Sequence, residues 1–173
     1  GGDVVGFFVV TIGPEIDRAT HSLYAENRYH DYLMLHGFSV EVTDALAELW
    51  HQRMRRELGI GGSEPEHVSG FVTQTYQGSR YGFGYPACPD HTEKRTLFDL
   101  LDAERQIGLT LTESFAMWPA ASVSGLYFAH PKSKYFGVGG RIRKCNSAVI
   151  CRRKYLVIFS NEYSTYRNFP ILS

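Results

Sequence analysis

"SRYGFGYPACPDHTEK", residues 79–94, is the stretch in which the chain changes character. Pro86 and Pro89 each remove a backbone donor and push the preceding residue towards extended geometry, so Arg80 to Pro89 is not helical and is expected to form a stiff strap. Tyr81, Phe83 and Tyr85 alternate along it, and Arg80 stands at its mouth. Asp90 and Glu93 have capping-box spacing, which predicts a helix beginning there. Leu97, Leu100, Leu101 and Ile107 would turn inward along that helix until Gly108 ends it.

The N-terminal side is mostly helical in pattern. "VVGFFVV" at 4–10, extended to residue 11, is β-branched and aromatic with no polar face, as in a strand covered on both sides. Pro14 can open a helix over roughly residues 15–35, and Gly37 supplies a left-handed stop. Ser39 is the candidate N-cap of a second helix, whose apolar stripe is Val42, Leu46, Leu49, Trp50, Met54 and Leu58. "GIGGSEP" at 59–65 is a turn, and residues 66–76 hold one more short helix. On the C-terminal side, 109–118 and 122–130 are expected strands about a Pro119 turn, with a third strand at 134–138 after "HPKS". A strand, then helices, then a run of strands predicts an α+β fold: a twisted antiparallel sheet with helices.

Composition removes several classes of function. Eighteen basic and eighteen acidic residues cancel, so neither a nucleic acid nor an anionic membrane has overall electrostatic support as a partner. The 4–10 run is too short to span a bilayer and has no basic leader before it; the chain opening directly on it is expected of a piece cut from something longer. Cys88, Cys145 and Cys151 form no C-x-x-C, which argues against a disulfide framework or structural zinc and for a reducing, cytoplasmic setting.

Short motifs mostly fail on context. "GFGYPA" fits G-x-G-x-x-A, but Pro86 stands where a dinucleotide loop donates amides. His91 and Glu93 form H-x-E without the P-C-x-x-C of a zinc deaminase, and "ASVSG" lacks the first glycine of a nucleophile elbow around Ser122 or Ser124. No catalytic residue and no metal ligand is assigned. Arg80 is the stronger lead, either as a planar fork for a carboxylate or phosphate or as the partner of a local acid such as Glu93 or of a helix end. Tyr85, Tyr135 and Phe136 would line an aromatic pocket, although strand aromatics such as Phe136 also commonly serve as core. Asp44 and Glu48, one helical turn apart, would either receive an ammonium group or form a solvated face.

"RYGFGYPACPDHTEK" followed by "LTESFAMWPAASVSGLYFAHPKSKYF" resembles the activation domain of cobalamin-dependent methionine synthase, the S-adenosylmethionine-binding module that rescues the oxidised enzyme. The similarity runs from about Val4 to Gly139 and includes the R-x-x-x-G-Y-P signature as Arg80, Gly84, Tyr85 and Pro86, besides "ENRYHDY" and "ALAELWHQRMRREL". The resemblance implies S-adenosylmethionine binding by Arg80, Gly84, Pro86, Tyr135 and Phe136, with Asp44 near an acidic contact and Tyr85 facing the cobalamin. It implies reductive methylation: cob(II)alamin takes one electron from a flavodoxin-type donor and a methyl group from S-adenosylmethionine. The partners are then that donor and the cobalamin-binding domain of the same enzyme. The chain has no D-x-H-x-x-G cobalamin-ligand motif, so cobalamin is expected on another domain. The resemblance also implies an activation domain that starts before residue 1 and occupies 1–139 here, with 140–173 a divergent tail in which Lys144 and Arg152 to Lys154 keep the expected spacing. Two other readings are a docking module for flavodoxin or a neighbouring cobalamin domain that no longer binds S-adenosylmethionine, and a zinc-dependent deaminase.

Overall fold

A computed structural model of the chain describes residues 4–135 and the backbone of 155–160. The element order is β1 (Val5–Thr11), α1 (Glu15–Ala25), α2 (Tyr29–Glu57), a 3-10 turn at Gly61–Ser63, α3 (Val68–Val72), β2 (Ser79–Gly82), α4 (Glu93–Leu101), α5 (Ala103–Ile107), β3 (Thr110–Leu111), β4 (Met117–Trp118), β5 (Ser122–Phe128) and β6 (Tyr155–Ser160). The main sheet runs β2-β5-β1-β6, and β3 pairs with β4 in a separate small hairpin. β5 is antiparallel to both β1 and β2, while β6 joins β1 in parallel.

β1 is covered on both sides, as its unbroken apolar sequence requires. Successive strand side chains point to opposite faces. Phe8 and Val10 therefore pack with Ala47, Trp50 and Met54 of α2 and with Tyr127, whereas Val9 joins Phe83, Leu97, Phe98, Leu101 and Leu109 on the other face. Two layers of helix thus enclose the sheet.

Helix boundaries differ from those the sequence predicts. The first helix ends at Ala25, and the chain turns at Asn27, whose φ of 58° is left-handed. Asparagine tolerates that conformation better than most residues. Gly37, the expected stop, lies inside α2. Ser39 is also internal, and its hydroxyl donates to the His36 carbonyl at 2.6 Å instead of capping. The buried face of α2 is Ser39, Thr43, Ala47, Trp50, His51, Met54 and Arg55, so the apolar stripe is rotated and Leu49 points to solvent at 59% exposure. Small residues at 39, 43 and 47 let this face lie close to the sheet.

Further along, only Val68–Val72 of the expected 66–76 helix forms. Asp90 precedes α4 but does not cap it directly: its Oδ1 accepts the Thr92 N–H at 2.8 Å and the Thr92 hydroxyl at 2.6 Å, and Thr92 is the N-cap. The helix is broken at Asp102, left-handed with φ 53°, before Gly108 ends α5 as expected. Leu97, Leu101 and Ile107 are buried, but Leu100 is exposed. The expected strand at 109–118 is reduced to β3 and β4 around a turn. Lys134 and Tyr135 are irregular, and the remainder of the expected 134–138 strand lies outside the described residues.

Gly125 on β5 marks the tightest strand approach. A Cβ there would lie 2.3 Å from the Tyr81 carbonyl oxygen and 2.9 Å from the Phe8 ring. Gly125→Ala is expected to lower stability by about 1–3 kcal/mol, as overpacking of a well-packed interior does. Urea unfolding of the two proteins measures it.

Candidate functional site

The strap expected from the sequence begins as β2, which places Arg80 opposite Tyr127 of β5. Beyond β2 the chain turns tightly. The Gly84 N–H donates to the Cys88 carbonyl and the Cys88 N–H to the Tyr85 carbonyl, both at 2.8 Å. Gly84 has φ +89°, a left-handed conformation that favours glycine, and a Cβ there would also require the exposed His91 ring to move aside. Closing the turn in this way leaves Tyr85 exposed at its tip.

A cleft of about 400 Å³ opens beside the turn, and Arg80, Tyr85, Tyr135 and Asp44 all line it. Four positions scattered over 92 residues of sequence, 44 to 135, are thus brought to one place. Tyr135 is held there by its neighbours. Its ring stacks on Tyr81 at 6.1 Å, the Tyr81 hydroxyl donates to the Lys134 carbonyl at 2.9 Å, and Lys134 Nζ donates to the Gln74 and Tyr76 carbonyls. Gly84 and Pro86 shape the turn beside the cleft and are not on its lining. Phe136, with Cys145, Cys151 and the cations of residues 144 and 152–154, lies outside the described residues.

Arg80 does not pair with Glu93. Its Nη1 donates to the Asp44 carbonyl at 3.2 Å, and its Nη2 lies 3.5 Å from Glu48 Oε2. Glu48 is accordingly neither a solvated helix charge nor open to an ammonium ligand, because both its oxygens are engaged. Oε1 accepts from Arg55, and Oε2 accepts the Tyr76 hydroxyl at 2.9 Å. Arg55 is fully buried and is gripped at two points by Glu64, at 2.5 and 2.8 Å. Burial opposes its charge, but the Glu64 hydrogen bond and the Glu48 and Glu64 carboxylates outweigh burial and raise its pKa.

Neither Arg55 nor Lys94 belongs to a motif, and the sequence reading passed over both. Lys94 is buried, lines the cleft, and places its ammonium 3.0 Å from His91 Nδ1 and 3.2 Å from the Phe115 carbonyl. Burial lowers its pKa. Each cation sits on the buried face of its helix, Lys94 with Leu97, Phe98 and Leu101, and Arg55 with Ala47, His51 and Met54. A cation at a stripe position is the signal that would have found them. His91, which the H-x-E motif would make a zinc ligand, packs over Gly84 and meets Lys94. No group of three or more His, Cys, Asp or Glu side chains among the described residues is placed to hold a metal ion.

The family description "Vitamin B12 dependent methionine synthase, activation domain" matches residues 1–155. The chain belongs to this family. Curated relatives named methionine synthase include those of Mycobacterium tuberculosis, 41% identical over 142 residues, and Mycobacterium leprae, 40% identical over 142 residues. The match covers 79% of this chain and 12% of each relative, so this chain spans only about 12% of the length of the proteins it matches. Among solved structures, the MetH reactivation domain bound to AdoHcy superposes with a TM-score of 0.64 at 42% identity, covering 72% of this chain and 38% of that one. Its mixture of helices and largely antiparallel sheet is the architecture described above. Among the described residues of the activation domain, no helix is long and apolar enough to cross a membrane.

His51 supplies a test of the buried cluster behind the cleft. It is fully buried between Tyr127, stacked at 4.6 Å, and Tyr76, edge-on at 5.3 Å, and neither ring nitrogen has a hydrogen-bond partner. Burial above all, then the Arg55 and Arg80 charges, push its pKa from 6.5 down to about 2. Below about pH 6.5 the unfolded chain takes up a proton that the folded chain refuses, so stability falls as the pH drops. Chemical unfolding at pH 7.5 and 5.0 is expected to show a decline that His51→Phe reduces by up to about 1 kcal/mol per pH unit.

Proposed function

We propose that the chain binds S-adenosylmethionine in the cleft beside Arg80 and acts as the reactivation domain of a cobalamin-dependent methionine synthase. The observation that carries this reading is the meeting of one arginine with two tyrosines, Tyr85 and Tyr135, at a single cleft of about 400 Å³. The ligand offers matching groups. Its carboxylate suits a guanidinium fork, its adenine can stack on a tyrosine, and its sulfonium is favoured near an aromatic face. The solved relative at 42% identity is described as bound to AdoHcy, the same compound without its methyl group.

Arg80 is assigned the amino-acid end of the ligand and Tyr135, with Phe136, the nucleoside. Gly84 and Pro86 keep the turn in the shape that carries Tyr85. Tyr85, 60% exposed at the open side of the cleft, presents a ring to whatever approaches from outside and is assigned the cobalamin face. Such an exposed aromatic tip fits a cofactor delivered by another domain, in keeping with the absence of D-x-H-x-x-G from this chain. Cobalamin supplies the metal nucleophile that accepts the methyl group. The chain itself needs no general base, because the leaving group is a neutral thioether. Its contribution is to bind the donor, exclude alternatives and aim the methyl outward, and such orientation can be worth many powers of ten in rate. The resemblance supplies the rest of the reading: a cobalamin-binding domain of the same enzyme and a flavodoxin-type electron donor as partners, in the cytoplasm, with the domain boundary near residue 139.

Calorimetry with S-adenosylmethionine tests the proposal. The wild-type chain is expected to give binding heat, and Arg80→Ala to bind about 10- to 100-fold more weakly, as loss of a charged hydrogen-bond pair does. Silence from both proteins would favour the docking-module reading.

A further inference from the structure

Arg80 reaches the cleft from β2, but the groups that set the plane of its guanidinium stand on α2. The Asp44 carbonyl takes Nη1 at 3.2 Å, and Glu48 Oε2 lies 3.5 Å from Nη2. The Asp44 carbonyl takes one Nη1 donor as a hydrogen bond, whereas Glu48 faces Nη2 as an ion pair, so donors on both terminal nitrogens remain for a ligand. A side chain held by one hydrogen bond and one ion pair loses less freedom on binding than a free arginine does.

Glu48 is itself held from behind. Its Oε1 accepts both terminal nitrogens of Arg55, at 3.3 and 3.2 Å, and its Oε2 accepts the Tyr76 hydroxyl at 2.9 Å. Arg55 is locked in turn by Glu64 and by the Tyr76 ring, 3.6 Å from its Cζ. Moving Glu48 would leave a fully buried guanidinium half-paired, which is strongly unfavourable. Two arginines against two glutamates also leave this cluster neutral, so Arg80 enters the cleft already balanced. The side chain is thereby selected for direction, and its pairing with Glu48 restrains any swing into solvent.

We infer that Glu48 is a positioning residue of the ligand site: acting through Arg80, it sets beforehand the guanidinium plane that receives the ligand's carboxylate. The identity of that ligand rests on the proposed function, whereas the fixed plane is a property of the ligand-free chain.

A double-mutant cycle measured by calorimetry tests the inference. Glu48→Gln keeps the size of the side chain and removes its charge. It is expected to weaken S-adenosylmethionine binding about tenfold when Arg80 is present, and less than about twofold when Arg80 is already alanine. Equal losses in both backgrounds, or no loss in either, would overturn the inference, since a merely structural role is indifferent to Arg80. Because Glu48→Gln also unpairs the buried Arg55, side-chain nitrogen NMR of the ligand-free wild-type chain provides a second reading. Separate, slowly exchanging Arg80 Nη signals are expected, and a single averaged signal would overturn the inference. Separate signals in a chain that gives no heat with S-adenosylmethionine would support the positioning of Arg80 and contradict only the proposed ligand.

Discussion

A guanidinium with no exposure to water must find its partners inside the protein, and Arg55 is such a group. Meeting that requirement organises much of the molecule. Glu64 answers from the segment after α2, which fixes how the chain leaves the helix. Glu48 answers from two turns earlier on the same helix and passes the connection on to Arg80 of β2. Tyr76 closes the cluster, with its ring under Arg55 and its hydroxyl on Glu48. A helix, a turn, a loop and a strand are thereby tied to one another by groups that lose heavily if any one is withdrawn.

The sheet does the rest of the positioning. β5 lies between β1 and β2, so the strand carrying Arg80 is held in register with the central strand of the core. Gly125 allows β5 to run hard against both Tyr81 and Phe8. The stack of Phe8, Tyr127 and His51 then continues to the edge of Tyr76, so the apolar core and the charged cluster form one packed unit. The cleft lies over this unit, with rigid elements behind Arg80 and an exposed turn carrying Tyr85. That contrast suits a site that must hold one molecule firmly and meet a second from outside.

Much of this was legible in the sequence, for identifiable reasons. The run at 4–10 is apolar on both alternations, and only a strand covered twice satisfies that. Pro86 and Pro89 exclude helix whatever surrounds them, so the strap and the place of Tyr85 could be read directly. Helix boundaries were harder. Gly37 is as good a stop as Asn27 by local preference, yet α2 starts at Tyr29 and runs through Gly37 to Glu57, a choice between two breakers that local preference alone does not make. Arg55 and Lys94 escaped, and Glu48 reads only as an ammonium receiver or a solvated face, for a different reason. A charged residue in a helix normally faces water, and what reverses that expectation here is a partner elsewhere: Glu64 nine positions on for Arg55, Phe115 twenty-one positions on for Lys94, and Arg80 thirty-two positions on for Glu48. Pairings of that kind exist only once the chain has folded.

The central claim is that this fold holds a sulfonium methyl donor between Arg80 and the tyrosines of the cleft. A crystal structure of the chain soaked with S-adenosylmethionine tests it most directly. The account predicts density for the compound in the cleft, its carboxylate on the free donors of Arg80, its purine against Tyr135 and its methyl turned towards the side where Tyr85 is exposed. A cleft that stays empty at saturating ligand, or a ligand seated away from Arg80, would contradict it.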